Sequence, residues 1–191
     1  MRLFVAIVPP APALAELTAA VDLLRLRAPD LRWTTRQAWH LTLAFLGEVQ
    51  EPSVPELSVR LERAARRHPP QQLAIAGGGA FPAAARAQVL WTGFSADDQA
   101  LAALAASVAA GARRAGAPPP DEHRKYRPHL TLARCKKPTD VSGLTRELSD
   151  FTGSRWVADS IHLVRSYLTS GPPEYEDVGS WPLTGYRRSS T

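Results

Sequence analysis

Apolar and polar positions alternate or recur along the chain in a way that predicts most of its elements. Arg2–Val8 is almost wholly apolar and reads as a strand, ended by Pro9 and Pro10. A helix over about Ala13–Arg27 follows, with Leu14, Leu17, Val21 and Leu24 at helical spacing. Leu31–Thr35 and Trp39–Leu46 read as strands, the second ending at Gly47. Pro52–His68 is predicted helical, with Leu57 and Leu61 inward and Arg60, Arg63, Arg66 and Arg67 solvated. Leu73–Ala80 and Gln88–Phe94 read as two strands joined by a loop holding Phe81-Pro82. Asp97–Ala115 is an alanine-rich helix with acids at its start and Arg113-Arg114 at its end, as the helix dipole favours. Beyond an Ala117–Asp121 connection come a strand over Pro128–Arg134 and a helix over Val141–Phe151. Strands over Trp156–Leu168 and Val178–Leu183 and a frayed tail, Tyr186–Thr191, complete the chain. Several strand pairs are joined directly, which predicts an α+β fold with antiparallel sheets over a doubly wound parallel one.

Length and charge narrow the class. At 191 residues with 45% hydrophobic content, one domain or two small lobes can bury a real core. No uncharged stretch is long and apolar enough to span a bilayer, and the N-terminal apolar run is too short for a signal peptide. A single cysteine, Cys135, excludes an internal disulfide framework and a cysteine zinc cage. The expectation is a soluble cytoplasmic protein, monomeric by default. The net charge of +5 leans towards an anionic partner. Only three of the 23 basic residues are lysine, and arginine offers planar donors suited to phosphate.

One repeat rises above this background. His40-Leu41-Thr42-Leu43-Ala44 recurs as His129-Leu130-Thr131-Leu132-Ala133. In a strand, i and i+2 share a face, so His40 projects with Thr42 and His129 with Thr131, while the leucines turn to the core. If a pseudo-twofold axis relates two halves, both His/Thr faces line one cleft and two imidazoles approach a ligand from opposite sides. That arrangement suits in-line displacement at phosphorus, with one imidazole taking a proton from water and the other giving one to the leaving oxygen. Threonine hydroxyls are placed to stabilise the non-bridging oxygens. One domain over residues 1–191 is expected, with the motifs at 40–43 and 129–132.

The residues around the repeat extend the match. Arg2–Ile7, Trp39–Val49, Gly79–Pro82 with Val89-Leu90-Trp91, Arg127–Arg134, Leu163–Ser166 and Tyr175 together resemble the two-histidine (2H) phosphoesterase superfamily. Within it the chain is similar to the RNA 2',3'-cyclic phosphodiesterase family, historically called 2'-5' RNA ligases. Val5 departs from the aromatic that relatives often carry in the opening strand. The resemblance implies a bilobal α+β fold with a central cleft, no metal and no cofactor. It implies RNA or nucleotides with 2',3'-cyclic phosphate ends as substrate, opened to 2'-phosphomonoesters. It also implies His40 as proton donor, His129 as proton acceptor, and Thr42, Thr131 and Arg134 as phosphate contacts. Activity on 2'-5' linked oligonucleotides or small cyclic nucleotides is an alternative, as is a non-catalytic RNA-binding module.

Other side chains carry weaker expectations. In a regular strand Arg134 points away from His129, so reaching the cleft requires its length, a bulge or the strand end. Arg127 shares the His129 face and is a candidate to steer the anion, with a solvated arginine as the alternative. Tyr126 is a candidate for base stacking, with rim packing as the alternative. His68 is expected at a surface helix end, His123 in a solvated loop and His162 as a satisfied structural histidine. Gly77-Gly78-Gly79 lacks the phosphate-loop pattern and is expected to end or bulge a strand.

Overall fold

The computed structural model describes residues 1–120, 125–167 and 171–186. His123 and the end of the tail beyond Tyr186 lie outside them. Two antiparallel sheets face each other across a cleft. The first has the order β3 (Leu41–Glu48), β1 (Arg2–Ile7), β8 (Ser160–Tyr167), β9 (Glu174–Pro182). The second has the order β2 (Arg32–Trp33), β6 (Leu130–Thr139), β5 (Ala87–Ser95), β4 (Gln71–Phe81), β7 (Trp156–Ala158). All pairings are antiparallel, as the directly joined strand pairs predict.

Helices cover the outer face of each sheet, but not in chain order. Helices α2 (Val54–Ala65) and α3 (Asp98–Arg114) bury Leu57, Leu61, Leu101, Leu104 and Val108 against the first sheet. Helices α1 (Ala11–Arg27) and α4 (Ser142–Ser149) bury Leu14, Leu17, Val21, Leu144 and Leu148 against the second. Thus α1 leaves the first sheet to pack on the second, and α3 leaves the second to pack on the first. Each lobe is assembled from both ends of the chain, so neither core closes without the other half. Helix α3 starts as its sequence predicts: the Asp97 carboxylate accepts the Ala100 N–H at 3.0 Å, satisfying an orphan donor of the first turn.

Four local differences have physical reasons. The strand expected over Trp156–Leu168 breaks at Asp159. Its first part pairs with β4 and the rest with β1, so the chain changes sheets there. The Asp159 carbonyl, freed from either ladder, accepts the Leu183 N–H at 2.7 Å. Strand β6 runs on to Thr139, past the polar Lys136-Lys137-Pro138 that hides it from an apolar pattern. Strand β9 begins at Glu174, four residues before its apolar part, because its outward residues are acidic. His68 is not a surface residue but half-buried, its Nε2 lying 2.8 Å from Ser107 Oγ on α3. Gly77 takes φ +67° at a β-bulge, where the Thr92 hydroxyl donates to its carbonyl, as expected of a glycine in that stretch.

Candidate active site

The two copies of the repeat sit in opposite sheets. Each histidine falls one residue before its strand, His40 before β3 and His129 before β6, and each threonine is the strand's second residue. His40, Thr42, His129 and Thr131 line a single cleft of about 690 Å³. Each imidazole stands beside a carbonyl two residues upstream. His129 Nδ1 lies 2.7 Å from the Arg127 carbonyl oxygen, which can only accept, so Nδ1 carries the proton and Nε2 is left for the cleft. The Ala38 carbonyl, likewise two residues upstream of its histidine, accepts the His40 backbone N–H at 3.1 Å and favours the charged form of the His40 imidazole. Aromatic rings frame each. His40 packs edge-on against Phe4 (5.4 Å) and Tyr175 (4.9 Å), and His129 against Phe81 (5.0 Å) and Trp91 (6.3 Å). A Cβ on Gly79 would lie 2.3 Å from the Trp91 ring, so that glycine leaves the space in which Trp91 stands.

The repeat extends to backbone irregularity. In β3, Val5 faces Ala44 but Ala6 faces Thr42, so Leu43 is an extra residue. In β6, Leu90 faces Ala133 but Trp91 faces Thr131, so Leu132 is extra in the corresponding place. Both residues after each threonine therefore turn to the core: Leu43 and Ala44 in the first lobe, Leu132 and Ala133 in the second. The next residue returns to the threonine's side. That residue is Phe45 in the first copy and Arg134 in the second, and both line the cleft. The bulge is the route by which Arg134 shares a face with Thr131. It also makes Phe45, which no apolar period marks as a cleft residue, the positional counterpart of Arg134.

Thr34 ties the two motifs together. Its backbone N–H donates to the Leu132 carbonyl at 2.8 Å, and its hydroxyl is 2.8 Å from the Thr131 carbonyl and 2.9 Å from that of Leu132. The same hydroxyl accepts from Trp39 Nε1 at 2.9 Å. Trp39 precedes His40 yet buries its ring in the second lobe's core. Motif one is thus wired to the bulge of motif two. Thr34→Val keeps the side-chain shape but leaves the Trp39 N–H without its partner. We expect it to lower unfolding free energy by about 1–3 kcal/mol, read by urea denaturation. An unchanged midpoint and slope would show that this link holds nothing.

The two histidines differ electrostatically. Burial among Phe4 and Tyr175 pushes the His40 pKa down to about 4, with His162 adding a smaller repulsive contribution and the Ala38 carbonyl opposing both. His162 itself is satisfied, with Nδ1 2.6 Å from Asp177 Oδ2 and Nε2 3.3 Å from Ser160 Oγ. Tyr175 has its hydroxyl pKa raised by burial, while positive Arg134 and Arg2 pull it the other way.

Two further candidates lie off the main cleft. Tyr126 is largely buried, donates its hydroxyl to the Thr42 carbonyl at 3.2 Å, and packs on the first core. It lines a neighbouring groove that also reaches Thr42 and His129. Arg127 is exposed on that groove, and its carbonyl rather than its guanidinium meets His129. Among the described residues, no three His, Cys, Asp or Glu side chains converge to hold a metal ion.

Two facing antiparallel sheets, each presenting a His-x-Thr strand to one cleft, define the two-histidine phosphoesterase fold. A sequence model of the 2'-5' RNA ligase superfamily matches residues 9–169, and the chain belongs to that superfamily. It is 31% identical over 157 residues to a protein of Aquifex aeolicus called RNA 2',3'-cyclic phosphodiesterase, covering 81% of this chain and 82% of that one. A Thermus thermophilus protein of the same name is 30% identical over 191 residues, covering 97% and 91%. A crystal structure of a protein from Thermus thermophilus superposes with a TM-score of 0.81 at 29% identity, covering 97% of this chain and 99% of that one.

Proposed function

We propose that this chain hydrolyses RNA 2',3'-cyclic phosphate ends to 2'-phosphomonoesters, using two histidines and no metal. The observation that carries the reading is the duplicated His-x-Thr strand, each copy entering one cleft from an opposite sheet. The names of the relatives point to the same substrate.

In this reading the cyclic phosphate lies between Thr42 and Thr131, whose hydroxyls donate to its non-bridging oxygens. Arg134 adds a guanidinium on the second motif's side. Water attacks phosphorus while His129 Nε2 takes its proton. The bond from phosphorus to O3' breaks, and His40 gives its proton to that oxygen. The products are a free 3'-hydroxyl and a 2'-phosphate, and the proton gained by His129 balances the one lost by His40. A donor whose pKa is held low gives up its proton readily once it has one. His40 therefore acquires that proton with the anionic substrate, whose charge favours the imidazolium.

We further propose that residues 1–191 work as one catalytic domain, as a cytoplasmic monomer. Among the described residues no helix is long and apolar enough to cross a membrane.

The test is an oligoribonucleotide ending in a 2',3'-cyclic phosphate, incubated with the protein in EDTA. The phosphate position is read by mass and phosphatase treatment against 2'- and 3'-phosphate standards. Conversion to the 2'-phosphate is expected. Turnover of 2'-5' linkages or of small cyclic nucleotides instead would reassign the substrate, and RNA binding without turnover would make this a binding module.

A further inference from the structure

The cleft holds more positive charge than one cyclic phosphate uses. Arg2 lines it from the first sheet, two residues before Phe4 on the same face of β1. Its guanidinium stands 5.2 Å over the ring of Phe45, the residue that occupies Arg134's place in the first motif. Arg2 therefore stands on the first lobe beside the positional counterpart of Arg134. Tyr175, which also lines the cleft, feels the positive charge of both guanidinium groups.

Among the described residues no carboxylate lines the cleft, and neither Arg2 nor Arg134 makes an ion pair. Glu48, which faces Arg2 across the β1–β3 ladder, is 3.5 Å from the N-terminal ammonium instead. Arg2 is half-buried, and Phe45 holds its guanidinium plane in place without competing for its hydrogen-bond donors. A pre-positioned and unpaired guanidinium is a built anion contact.

Its position along β1 points to which anion. One same-face step along a strand is about 6.5–7 Å. Arg2 is one such step beyond Phe4, the ring packed on His40. A group held one such step out matches the next phosphate along the same molecule.

We propose that Arg2 binds a second phosphate of the substrate, the one on the 5'-oxygen of the terminal nucleoside. This rests on the reading of the cleft given above. It makes Arg2 a specificity-determining residue: the enzyme prefers ends that continue as a nucleic acid strand, or carry a 5'-phosphate, over a bare nucleoside 2',3'-cyclic phosphate.

The experiment compares kcat/KM for three substrates: adenosine 2',3'-cyclic phosphate, its 5'-phosphorylated form, and a dinucleotide ending in adenosine 2',3'-cyclic phosphate. In wild type, kcat/KM for the dinucleotide should exceed that for the bare nucleoside by about 10–100-fold. Arg2→Ala should bring that ratio towards one, and Arg2→Lys, which keeps the charge, should keep part of it. A matching gain from the 5'-phosphorylated nucleoside means that a monoester suffices, and a gain confined to the dinucleotide means that the diester is required. The thermal midpoint of both variants guards against a folding defect in β1. A wild-type ratio near one, or a ratio that survives Arg2→Ala, overturns the proposal. Failure of wild type to turn over any of the three overturns the cyclic phosphodiesterase reading itself, and the proposal falls with it.

Discussion

His129→Ala and His40→Ala are each expected to lower kcat on a 2',3'-cyclic phosphate end by about 10²–10⁴-fold. The reason is geometric. Each imidazole is framed by two aromatic rings, and each enters the cleft from a different sheet. Neither can take over the other's task, since the attacking water and the leaving oxygen lie on opposite sides of phosphorus. The double variant should be little worse than the poorer single one, because groups that act in one proton-transfer sequence are not additive. Steady-state rates at saturating substrate test this. Near-wild-type turnover in either single variant would remove that histidine from the mechanism. His40→Ala also leaves a gap beside Phe4 and Tyr175, so its far-ultraviolet circular dichroism and thermal midpoint belong in the same experiment.

Phosphate binding should be coupled to proton uptake, and the second large effect follows from it. In the empty cleft burial holds the His40 pKa at about 4, so at neutral pH the imidazole is uncharged. A phosphate anion beside it favours the charged form and raises that pKa. The sign follows by linkage: between the two pKa values the complex binds a proton that the free protein does not. Affinity referred to the dianion of a 2'-phosphate product should therefore rise as pH falls through that window and level off below pH 4. A rise of two units corresponds to about 100-fold tighter binding by the protonated form. Titration of the His40 ring by nuclear magnetic resonance, with and without nucleoside 2'-phosphate, reads both pKa values. A midpoint that stays near 4 with product bound would leave His40 without a proton to give.

Much of this was legible in the sequence because it is written in periodicity. The apolar runs of β1, α1 and α3 locate those elements, and the repeated His-Leu-Thr-Leu-Ala places the chemistry on strands. The rest depends on contacts between distant segments. A period-two reading sends Arg134 away from His129. Only the pairing of β6 with β5 shows that Leu132 is an extra residue and that Arg134 swings back. Phe45 was hidden for the same reason, although its spacing from His40 equals that of Arg134 from His129. The exchange of α1 and α3 between lobes has no local signature, because an amphipathic helix does not state which sheet it covers. Nor does sequence near-symmetry foretell the electrostatic difference between the histidines. That comes from Phe4 and Tyr175, on strands far apart in the chain, closing over His40. The break at Asp159 was lost because Trp156 and Ile161 are both apolar, yet belong to strands of different sheets.

The measurement that bears most directly on the two-histidine assignment is a leaving-group substitution. A substrate in which sulfur replaces O3' of the cyclic phosphate departs as a thiolate, which needs far less protonation than an alkoxide. With His40 as donor and His129 as acceptor, His40→Ala should recover most of its lost rate on the sulfur substrate, while His129→Ala stays as impaired as on the oxygen one. Recovery by His129→Ala alone would reverse the two roles. Equal impairment of both variants on both substrates would contradict the division of labour between donor and acceptor on which this account rests.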